Sequence, residues 1–252
     1  MSGSPPHPGP LPAGEREALG PEGFAAALPD IMENVSRETF QSLEAYASIL
    51  TAWQARMNLV GPSTLSDIWR RHFLDSAQLY PLLPDNDRPN AEGGERKLKI
   101  FDLGSGAGFP GLVLAILGRH DRRFAGGRPL RVNLIESDRK KAAFLDEAAR
   151  AVGFTPDDTS KTAVRVRAQR AEAIEPQIAD VVTARALAPL EKLLPWMARF
   201  ADENTVLIVP KGEQAEAELQ SASKDWKMKI ERVPSRSDAR GTILVLRELA
   251  RR

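Results

Sequence analysis

Residues 101–111 read Phe101-Asp102-Leu103-Gly104-Ser105-Gly106-Ala107-Gly108-Phe109-Pro110-Gly111, a glycine-rich segment between two apolar runs. A short apolar run at residues 98–103 predicts a buried strand before it, and an apolar segment at residues 109–117 predicts a helix after it. Glycines between a strand and a helix let the backbone approach a ligand closely, and the start of the helix offers free N–H groups. We therefore predict a ligand-binding loop at the carboxyl end of the first strand.

Two cofactor patterns fit this loop. Gly106 to Gly111 matches the dinucleotide fingerprint G-x-G-x-x-G, which is weak evidence when taken alone. Asp102, two residues before Gly104, gives the D-x-G-x-G-x-G arrangement of class I methyltransferases. Pro110 also lacks the N–H that a pyrophosphate would need. A tight turn would require only one or two glycines, so a purely structural role is the weaker interpretation.

Outside the loop, short apolar runs alternate with helical patterns. Further strands are predicted at residues 130–136, 163–168, 180–184 and 205–210, helices at 138–152, 190–200 and 213–223, and a closing antiparallel pair at 226–233 and 242–247. This alternation predicts a mostly parallel sheet with helices on both faces. We assign residues 97–252 to this domain.

The first 96 residues follow a different pattern. Residues 1–22 are rich in Pro and Gly and predict a disordered tail. Apolar residues at helical spacing predict helices over 37–57 and 64–83, and the Asp, Asn, Pro and Gly residues of 85–96 predict a linker. Residues 23–96 are therefore interpreted as a helical N-terminal extension with its linker.

Composition excludes several classes of protein. The 252 residues include 35 basic and 34 acidic side chains, so any affinity for RNA must come from local patches. The absence of cysteine excludes thiolate zinc sites and a cysteine nucleophile, and we expect no metal site. We find no apolar run of about 18 residues and no secretory signal pattern, so we expect a cytoplasmic protein without a membrane partner.

Two further positions suit an adenosine ligand. Glu136 ends the second predicted strand, where an acid can accept hydrogen bonds from ribose hydroxyls in either cofactor scheme. Ala171 and Glu172 follow the third strand, where a small residue and an acid could form a wall and an acceptor for adenine. An ordinary solvated helix start explains Ala171 and Glu172 almost equally well.

The sequence resembles the bacterial small-subunit (16S) rRNA guanine-N7 methyltransferases, the glucose-inhibited division protein B family, from about Phe40 to Leu246. The residues that carry the resemblance are Asn58-Leu59, Arg71-His72-Phe73-Leu74-Asp75-Ser76, the glycine loop, Ala184-Arg185-Ala186 and Lys211-Gly212. The loop with its Phe-Pro-Gly ending and the Arg-His-Phe-Leu-Asp-Ser segment are together fairly specific.

The resemblance implies a class I, Rossmann-like fold with a seven-stranded, mostly parallel sheet behind a small helical extension. It implies methyl transfer from S-adenosylmethionine to N7 of a guanine in the 530 loop of 16S rRNA, in the bacterial cytoplasm. The expected partner is 16S rRNA or an assembling small ribosomal subunit, and we expect a monomer.

The resemblance and the loop pattern together assign residues to roles. The expected cofactor-binding residues are Asp102, Gly104, Gly106, Gly108, Phe109, Glu136, Ala171, Glu172 and Arg185. The candidates for RNA binding are Arg71, His72, Asp75 and Lys211. Arg185 is also the candidate catalytic residue, as a wall of the site or as a donor to guanine O6, an acceptor that arginine favours. A purely structural His72–Asp75 pair is the simpler interpretation of those two side chains.

The expected chemistry agrees with what the sequence lacks. Guanine N7 carries an in-plane lone pair and no proton, so it can attack a methyl group without a general base. The amino-methyltransferase motif N/D-P-P-Y/F is replaced here by Thr183-Ala184-Arg185-Ala186-Leu187. Without cysteine, the covalent route to pyrimidine C5 is also closed. N7-type or hydroxyl-type acceptors remain.

The sequence departs from the family in its Pro/Gly tail and in a longer basic segment at residues 119–131. We interpret the basic segment as a solvated loop in preference to an auxiliary phosphate contact. Two rival functions are also compatible with the sequence. The fingerprint Gly106–Gly111 would suit an NAD-dependent oxidoreductase, although the only tyrosines, Tyr46 and Tyr80, lie outside the sheet domain. A non-enzymatic ribosome-binding factor could also retain the loop as a scaffold.

Overall fold

The computed structural model describes residues 18–28, 31, 35–85, 96–121, 128–154 and 162–252. Its helices are α1 (Pro21–Ala27), α2 (Arg37–Gln54), α3 (Pro62–Leu65), α4 (Asp75–Ala77), α5 (Gly111–Arg119), α6 (Arg139–Ala151), α7 (Leu190–Met197) and α8 (Ala215–Ala222). Its strands are β1 (Leu98–Leu103), β2 (Leu130–Ile135), β3 (Ala163–Arg167), β4 (Val181–Ala184), β5 (Val206–Lys211), β6 (Trp226–Pro234) and β7 (Thr242–Arg251). Each predicted strand is present, with ends shifted by a few residues. Among the helices of these ranges, none is long and apolar enough to cross a membrane.

The seven strands form one sheet in the order β3-β2-β1-β4-β5-β7-β6. Strands β1 to β5 are parallel, whereas β7 runs antiparallel to both β5 and β6. The register places Leu103 beside both Ile135 and Ala184, so β1, β2 and β4 end at one edge of the sheet. Ligands of open α/β sheets bind at this edge. The class I methyltransferase sheet that the resemblance implied is confirmed.

Helices cover both faces of the sheet, which explains why its central strands are apolar at successive positions. Strand β4 is buried along its whole length. One face packs against α5, α6 and the N-terminal extension. The other face packs against α7 and α8, and there the ring of Phe101 stacks on that of Phe200 at 4.8 Å between centroids. The two layers hold the loops at the carboxyl edge between them.

The second predicted helix of the extension, over residues 64–83, is not continuous. In its place are α3, a π-helical turn at Trp69–Leu74, α4 and a 3-10 turn at Tyr80–Leu82. The carbonyl of Arg71 accepts from the Arg185 side chain and that of His72 accepts from Ser76 Oγ. The prediction of one helix was wrong because the chain turns at residues 66–67 and 78–79, and apolar periodicity continues across both turns. The predicted helix α2 is confirmed.

Helix α1 begins at Pro21 and extends the folded part of the chain into the predicted tail. The backbone N–H of Leu19 donates to Asp67 Oδ1 at 2.8 Å. The Phe24 side chain is fully buried, with its ring 5.2 Å from Trp69 and 6.2 Å from Phe73. The fold therefore includes residues 19–22, which the sequence assigned to the tail. Residues 1–17 and most of the predicted linker lie outside the described residues.

The basic segment 119–131 is partly built into the core. Arg128 is only 4% exposed, its Nη2 donates to Pro84 O at 2.7 Å, and its guanidinium lies 5.5 Å from the Tyr80 ring. Arg119 donates to Gly153 O at 2.6 Å and lies over the Phe154 ring. The interpretation as a solvated loop is therefore wrong at Arg128, whose aliphatic stem and charge both find partners. Residues 122–127 lie outside the described residues.

The burial of Phe24 predicts that α1 is required for stability. Phe24→Ala should lower the free energy of unfolding by about 3–5 kcal/mol, since it removes a buried aromatic side chain and leaves a cavity. Urea unfolding of the variant checks this through the transition midpoint at unchanged slope. A chain lacking residues 1–17 is the control and should unfold like the full chain. Equal stability of Phe24→Ala and the full chain would contradict the packing of α1.

Candidate active site

The glycine loop follows β1 and leads directly into α5. Gly106 has a φ of +56°, in the left-handed region that favours glycine. A Cβ added there would meet only the Gly104 carbonyl oxygen, at 3.8 Å. The backbone of the loop is thus open on that side, as close approach of a ligand requires. From the extension, the hydroxyl of Tyr46 donates to the Ala107 carbonyl, and this bond holds the loop against α2.

Asp102, at the end of β1, is fully buried beneath the loop. Its Oδ2 accepts from the backbone N–H of Gly111 at 3.1 Å and so fastens the first turn of α5. Its Oδ1 has no hydrogen-bond partner among the described residues. Burial raises the pKa of Asp102 to about 6. A buried carboxylate oxygen without a donor suits a ligand that brings a cation, such as the α-amino group of the expected cofactor.

Glu136 follows β2 and lies against the same loop. Its Oε2 accepts from Gly106 N at 2.9 Å, and its Oε1 accepts from Asp138 N at 2.8 Å. Each carboxylate oxygen has two acceptor positions, so lone pairs remain for ribose hydroxyls. The residues at the tips of β1 and β2 therefore fit the adenosylmethionine cofactor that the sequence predicts.

The other predicted cofactor residues differ in whether the side chain or the backbone could contact a ligand. After β3, Ala171 is buried and Glu172 is exposed, as a pocket wall and an acceptor would be. The Phe109 ring is 2% exposed, and it lies 5.2 Å from Tyr46 and 5.1 Å from His72. The Phe109 side chain thus belongs to the aromatic core beneath the loop, and contact with a ligand there would come from its backbone.

Arg185, directly after β4, joins the sheet to the extension. Its Nη1 donates to Arg71 O at 3.0 Å and to Asp75 Oδ2 at 3.1 Å. Its Nη2 lies 2.7 Å from His72 Nδ1, and the guanidinium lies 5.1 Å from the Phe109 ring. The simpler interpretation, a structural pair between His72 and Asp75, is therefore wrong. Both bind the same arginine.

The two ring nitrogens of His72 are both engaged. Arginine can only donate, so His72 Nδ1 is the acceptor and Nε2 carries the proton. Nε2 lies 2.7 Å from Thr64 Oγ1, and the threonine hydroxyl donates in turn to Gly61 O. Burial, then the charges of Arg185 and Arg71, lower the pKa of His72 to about 3. The imidazole is neutral and orients Arg185.

A pocket of about 670 Å³ opens beside Arg185, at the carboxyl ends of β4 and β5. The extension forms one wall through Arg71, His72 and Asp75, and the turn between β6 and β7 forms the opposite wall. A buried network joins these walls: Gln78 Nε2 donates to Asp75 Oδ1 and Ser235 Oγ, and Ser237 Oγ donates to Asp75 Oδ1. Without the extension this pocket would lack a side.

Lys211 and Arg71 differ in exposure. Lys211, 10% exposed, lies on the pocket wall, where its Nζ donates to Ala188 O at 2.8 Å and pairs with Glu218 at 2.8 Å. It ties the segment after β4 to α8. Arg71, 43% exposed, pairs with Asp238 at 3.0 Å at the pocket rim. Of these two candidates for RNA binding, only Arg71 presents much of its side chain to solvent.

Sequence reasoning missed several residues of this pocket. Ser235, Ser237 and Asp238, in the turn between β6 and β7, line the pocket together with Glu218, and Gln78 bonds to that turn. No sequence pattern singled out any of these residues. One signal was present: the seven residues between β6 and β7, five of them polar, exceed what a tight two-residue hairpin needs. Within the described ranges, no cluster of three or more His, Asp or Glu side chains is arranged to hold a metal ion.

Comparison with known proteins agrees with this geometry. The sequence model of the GidB family, described as rRNA small subunit methyltransferase G, matches residues 39–242. The ribosomal RNA small subunit methyltransferase G of Paramagnetospirillum magneticum is 47% identical over 217 residues, which are 86% of this chain and 92% of the relative. The protein of the same name from Rhodospirillum rubrum is 46% identical over 231 residues, 92% of this chain and 98% of the relative.

Among solved structures, an O-methyltransferase from Bacillus cereus in complex with SAH is 13% identical, with a TM-score of 0.49 over 88% of this chain and 96% of that one. That likeness is too distant to bear on the substrate. The sequence relatives, at 46–47% identity, remove the NAD-dependent interpretation of the glycine loop. The chain belongs to the rRNA small subunit methyltransferase G family of S-adenosylmethionine-dependent methyltransferases.

Proposed function

We propose that this protein transfers a methyl group from S-adenosylmethionine to N7 of a guanine in the 530 loop of 16S rRNA, in the bacterial cytoplasm. The relatives named above support small-subunit rRNA as the substrate. The observation that carries the chemistry is the Arg185–His72 pair, which lines the pocket with a hydrogen-bond donor and removes its one histidine from proton transfer.

The cofactor, when bound, supplies an electrophilic methyl group on a sulfonium. Asp102 would hold its amino group through the oxygen that lacks a donor, and Glu136 would hold its ribose hydroxyls. Ala171 and Glu172 would border the adenine. The open backbone at Gly106 lets the ligand lie directly on the loop.

Arg185 is the residue we assign to the acceptor base. The hydrogen bonds found in the described part of the chain involve Nη1 and one N–H of Nη2, and the guanidinium carries five N–H groups in a fixed plane. An N–H directed into the pocket could donate to guanine O6, which neighbours N7. The bonds to His72 and Asp75 hold this donor in place before the substrate arrives, which lowers the cost of reorganisation.

Methyl transfer to N7 needs alignment and no proton transfer. Guanine N7 has no proton to lose, and in-line displacement from sulfur depends on the geometry of nucleophile, methyl and sulfur. A neutral His72 with both nitrogens engaged is poorly placed to act as a base. We therefore propose that His72 is a positioning residue and that the reaction proceeds without a protein base.

RNA contacts would come from the rim of the pocket. Arg71 is the exposed cation there, and its pair with Asp238 could exchange for a phosphate contact. Lys211 would act mainly by holding Ala188 and Glu218 in place, and any phosphate contact would require a change at that pair. The partner would be 16S rRNA or an assembling small subunit, and we propose that the enzyme acts as a monomer.

The assignment of the cofactor site predicts selective binding. S-adenosylmethionine and S-adenosylhomocysteine should bind in calorimetry, and NAD should not. Glu136→Ala should weaken binding by about 1–3 kcal/mol, the cost of losing a hydrogen bond to a charged group. Glu136→Gln should also weaken binding, because its amide nitrogen would face the backbone N–H of Gly106 or Asp138 in place of an acceptor.

The matched control is Glu203→Ala, since Glu203 is an exposed acid before β5. Thermal unfolding of each variant shows whether the bonds of Glu136 to Gly106 and Asp138 are also needed for folding. NAD binding, or equal affinity of Glu136→Ala and Glu203→Ala for S-adenosylhomocysteine, would overturn the assignment.

The absence of a base predicts that the rate does not depend on pH. Single-turnover methylation with saturating RNA and cofactor should be nearly constant from about pH 6.5 to 8.5. His72→Ala should be slower because Arg185 loses an acceptor, but its profile should also be flat. Nitrogen NMR of the wild type should show His72 neutral, protonated at Nε2, across that range.

His120→Ala is the matched control, because His120 lies outside the pocket and bonds to Ser42 Oγ. Its rate should equal that of the wild type. A wild-type rate that rises through an ionisation near the ordinary histidine pKa, and loses this dependence in His72→Ala only, would make His72 the base. It would also argue against N7 as the nucleophile.

A further inference from the structure

Leu187 lies between the glycine loop and the pocket. A Cβ added at Gly104 would come within 2.5 Å of Leu187 Cδ1 and 3.0 Å of Cδ2, so the leucine rests against the backbone of the loop. Leu187 also lines the 670 Å³ pocket. The same side chain therefore borders the proposed donor site on one side and the proposed acceptor site on the other.

The exposure of Leu187 has no structural benefit that the fold reveals. Its side chain is 39% exposed, and only Ile178, at 47%, is a comparably exposed large apolar residue in the described ranges. A single exposed leucine is ordinary on a protein surface. Ile178, however, lines neither the pocket nor the loop, whereas Leu187 stands at the junction of both.

The backbone at this junction is held in an unfavourable conformation. Ala186 has a φ of +53°, which costs free energy for a residue with a Cβ. The segment is fastened on both sides: Arg185 binds the extension, and Lys211 binds the Ala188 carbonyl. Further along, Glu218 accepts from the backbone N–H of Leu190. These bonds hold the segment that contains the positive-φ residue, and in this segment Leu187 lies against Gly104.

We propose that Leu187 packs on the face of the acceptor base and holds its nucleophilic nitrogen in line with the methyl group. The inference rests on the proposed function. A purine presents a flat apolar face, and the residues around Leu187 on the pocket wall are largely polar or small. An aliphatic side chain here would exclude water from the space between donor and acceptor. Its truncation would leave the base free to tilt, and small displacements from the attacking geometry are costly in rate.

The test compares Leu187→Ala, Leu187→Met and Ile178→Ala with the wild type. Tritium transfer from S-adenosylmethionine to unmethylated 16S rRNA and to small ribosomal subunits is measured in single turnover, with both substrates saturating. Calorimetry with S-adenosylhomocysteine and thermal unfolding are measured on the same proteins.

Leu187→Ala should be slower by about 10- to 100-fold, the effect of a misplaced nucleophile. Its unfolding temperature should be unchanged, and its affinity for S-adenosylhomocysteine should change by less than about threefold, because mainly Asp102 and Glu136 hold the cofactor. Leu187→Met should retain most of the rate, and Ile178→Ala all of it.

Three results would overturn the proposal. One is a Leu187→Ala rate equal to that of the wild type. Another is a loss that matches a lower affinity for S-adenosylhomocysteine and disappears once S-adenosylmethionine is raised until the variant too is saturated. Leu187 would then be a cofactor wall only. The third is an equal loss in Ile178→Ala. Tritium transfer measures the effect of Leu187 on the rate whichever base is methylated. Mass spectrometry for N7-methylguanosine tests the proposed function. Failure of the Leu187 proposal is therefore distinguishable from failure of the proposed function.

Discussion

The rest of the site depends on the guanidinium of Arg185. It leaves the end of β4 and bonds to the Arg71 carbonyl, the Asp75 carboxylate and the His72 ring. A planar, permanently charged group can bind three such partners at fixed angles, which a lysine could not do. These bonds connect the parallel sheet to the extension. Within the π-helical turn, Arg185 also donates to the Arg71 carbonyl, which in an α-helix would accept from a backbone N–H of the same helix. The pocket exists because this connection is made.

Burial has opposite effects on the pKa values of two titratable groups of the site, His72 and Asp102. It lowers the pKa of His72 to about 3 and raises that of Asp102 to about 6, since in both cases it favours the uncharged form. For His72 the folded pKa lies below the unfolded one, so stability is lost as pH falls below about 6.5. For Asp102 the folded pKa lies above the unfolded one, so the contribution of its protonated form is lost as pH rises through about 6. A cationic ligand at Asp102 would reverse that cost.

The N-terminal extension is part of the site and not an appendage to it. Tyr46 holds the glycine loop, Asp75 and Gln78 bind the turn after β6, and Phe24 completes the aromatic core under Phe109. The carboxyl edge of the sheet alone would offer an open surface at β4 and β5. Addition of the extension turns that surface into a walled pocket, in which the charged groups have fixed partners.

Local sequence patterns were sufficient to predict the succession of strands and helices along the chain, the glycine loop and the acids at its border. These features depend on local patterns: apolar runs of strand length, glycine where the backbone must be open, and Asp102 and Glu136 at strand ends that a parallel sheet brings to one edge. The family resemblance added Arg185, His72 and Asp75 as residues of interest, without the bonds among them. Four features became visible only in the folded chain: His72 and Asp75 both bind Arg185, Lys211 is held by Ala188 and Glu218, Arg128 is buried, and Leu187 lies on Gly104. Each of these contacts joins residues far apart in the chain, and whether such a side chain meets solvent or a partner depends on packing that no local pattern encodes.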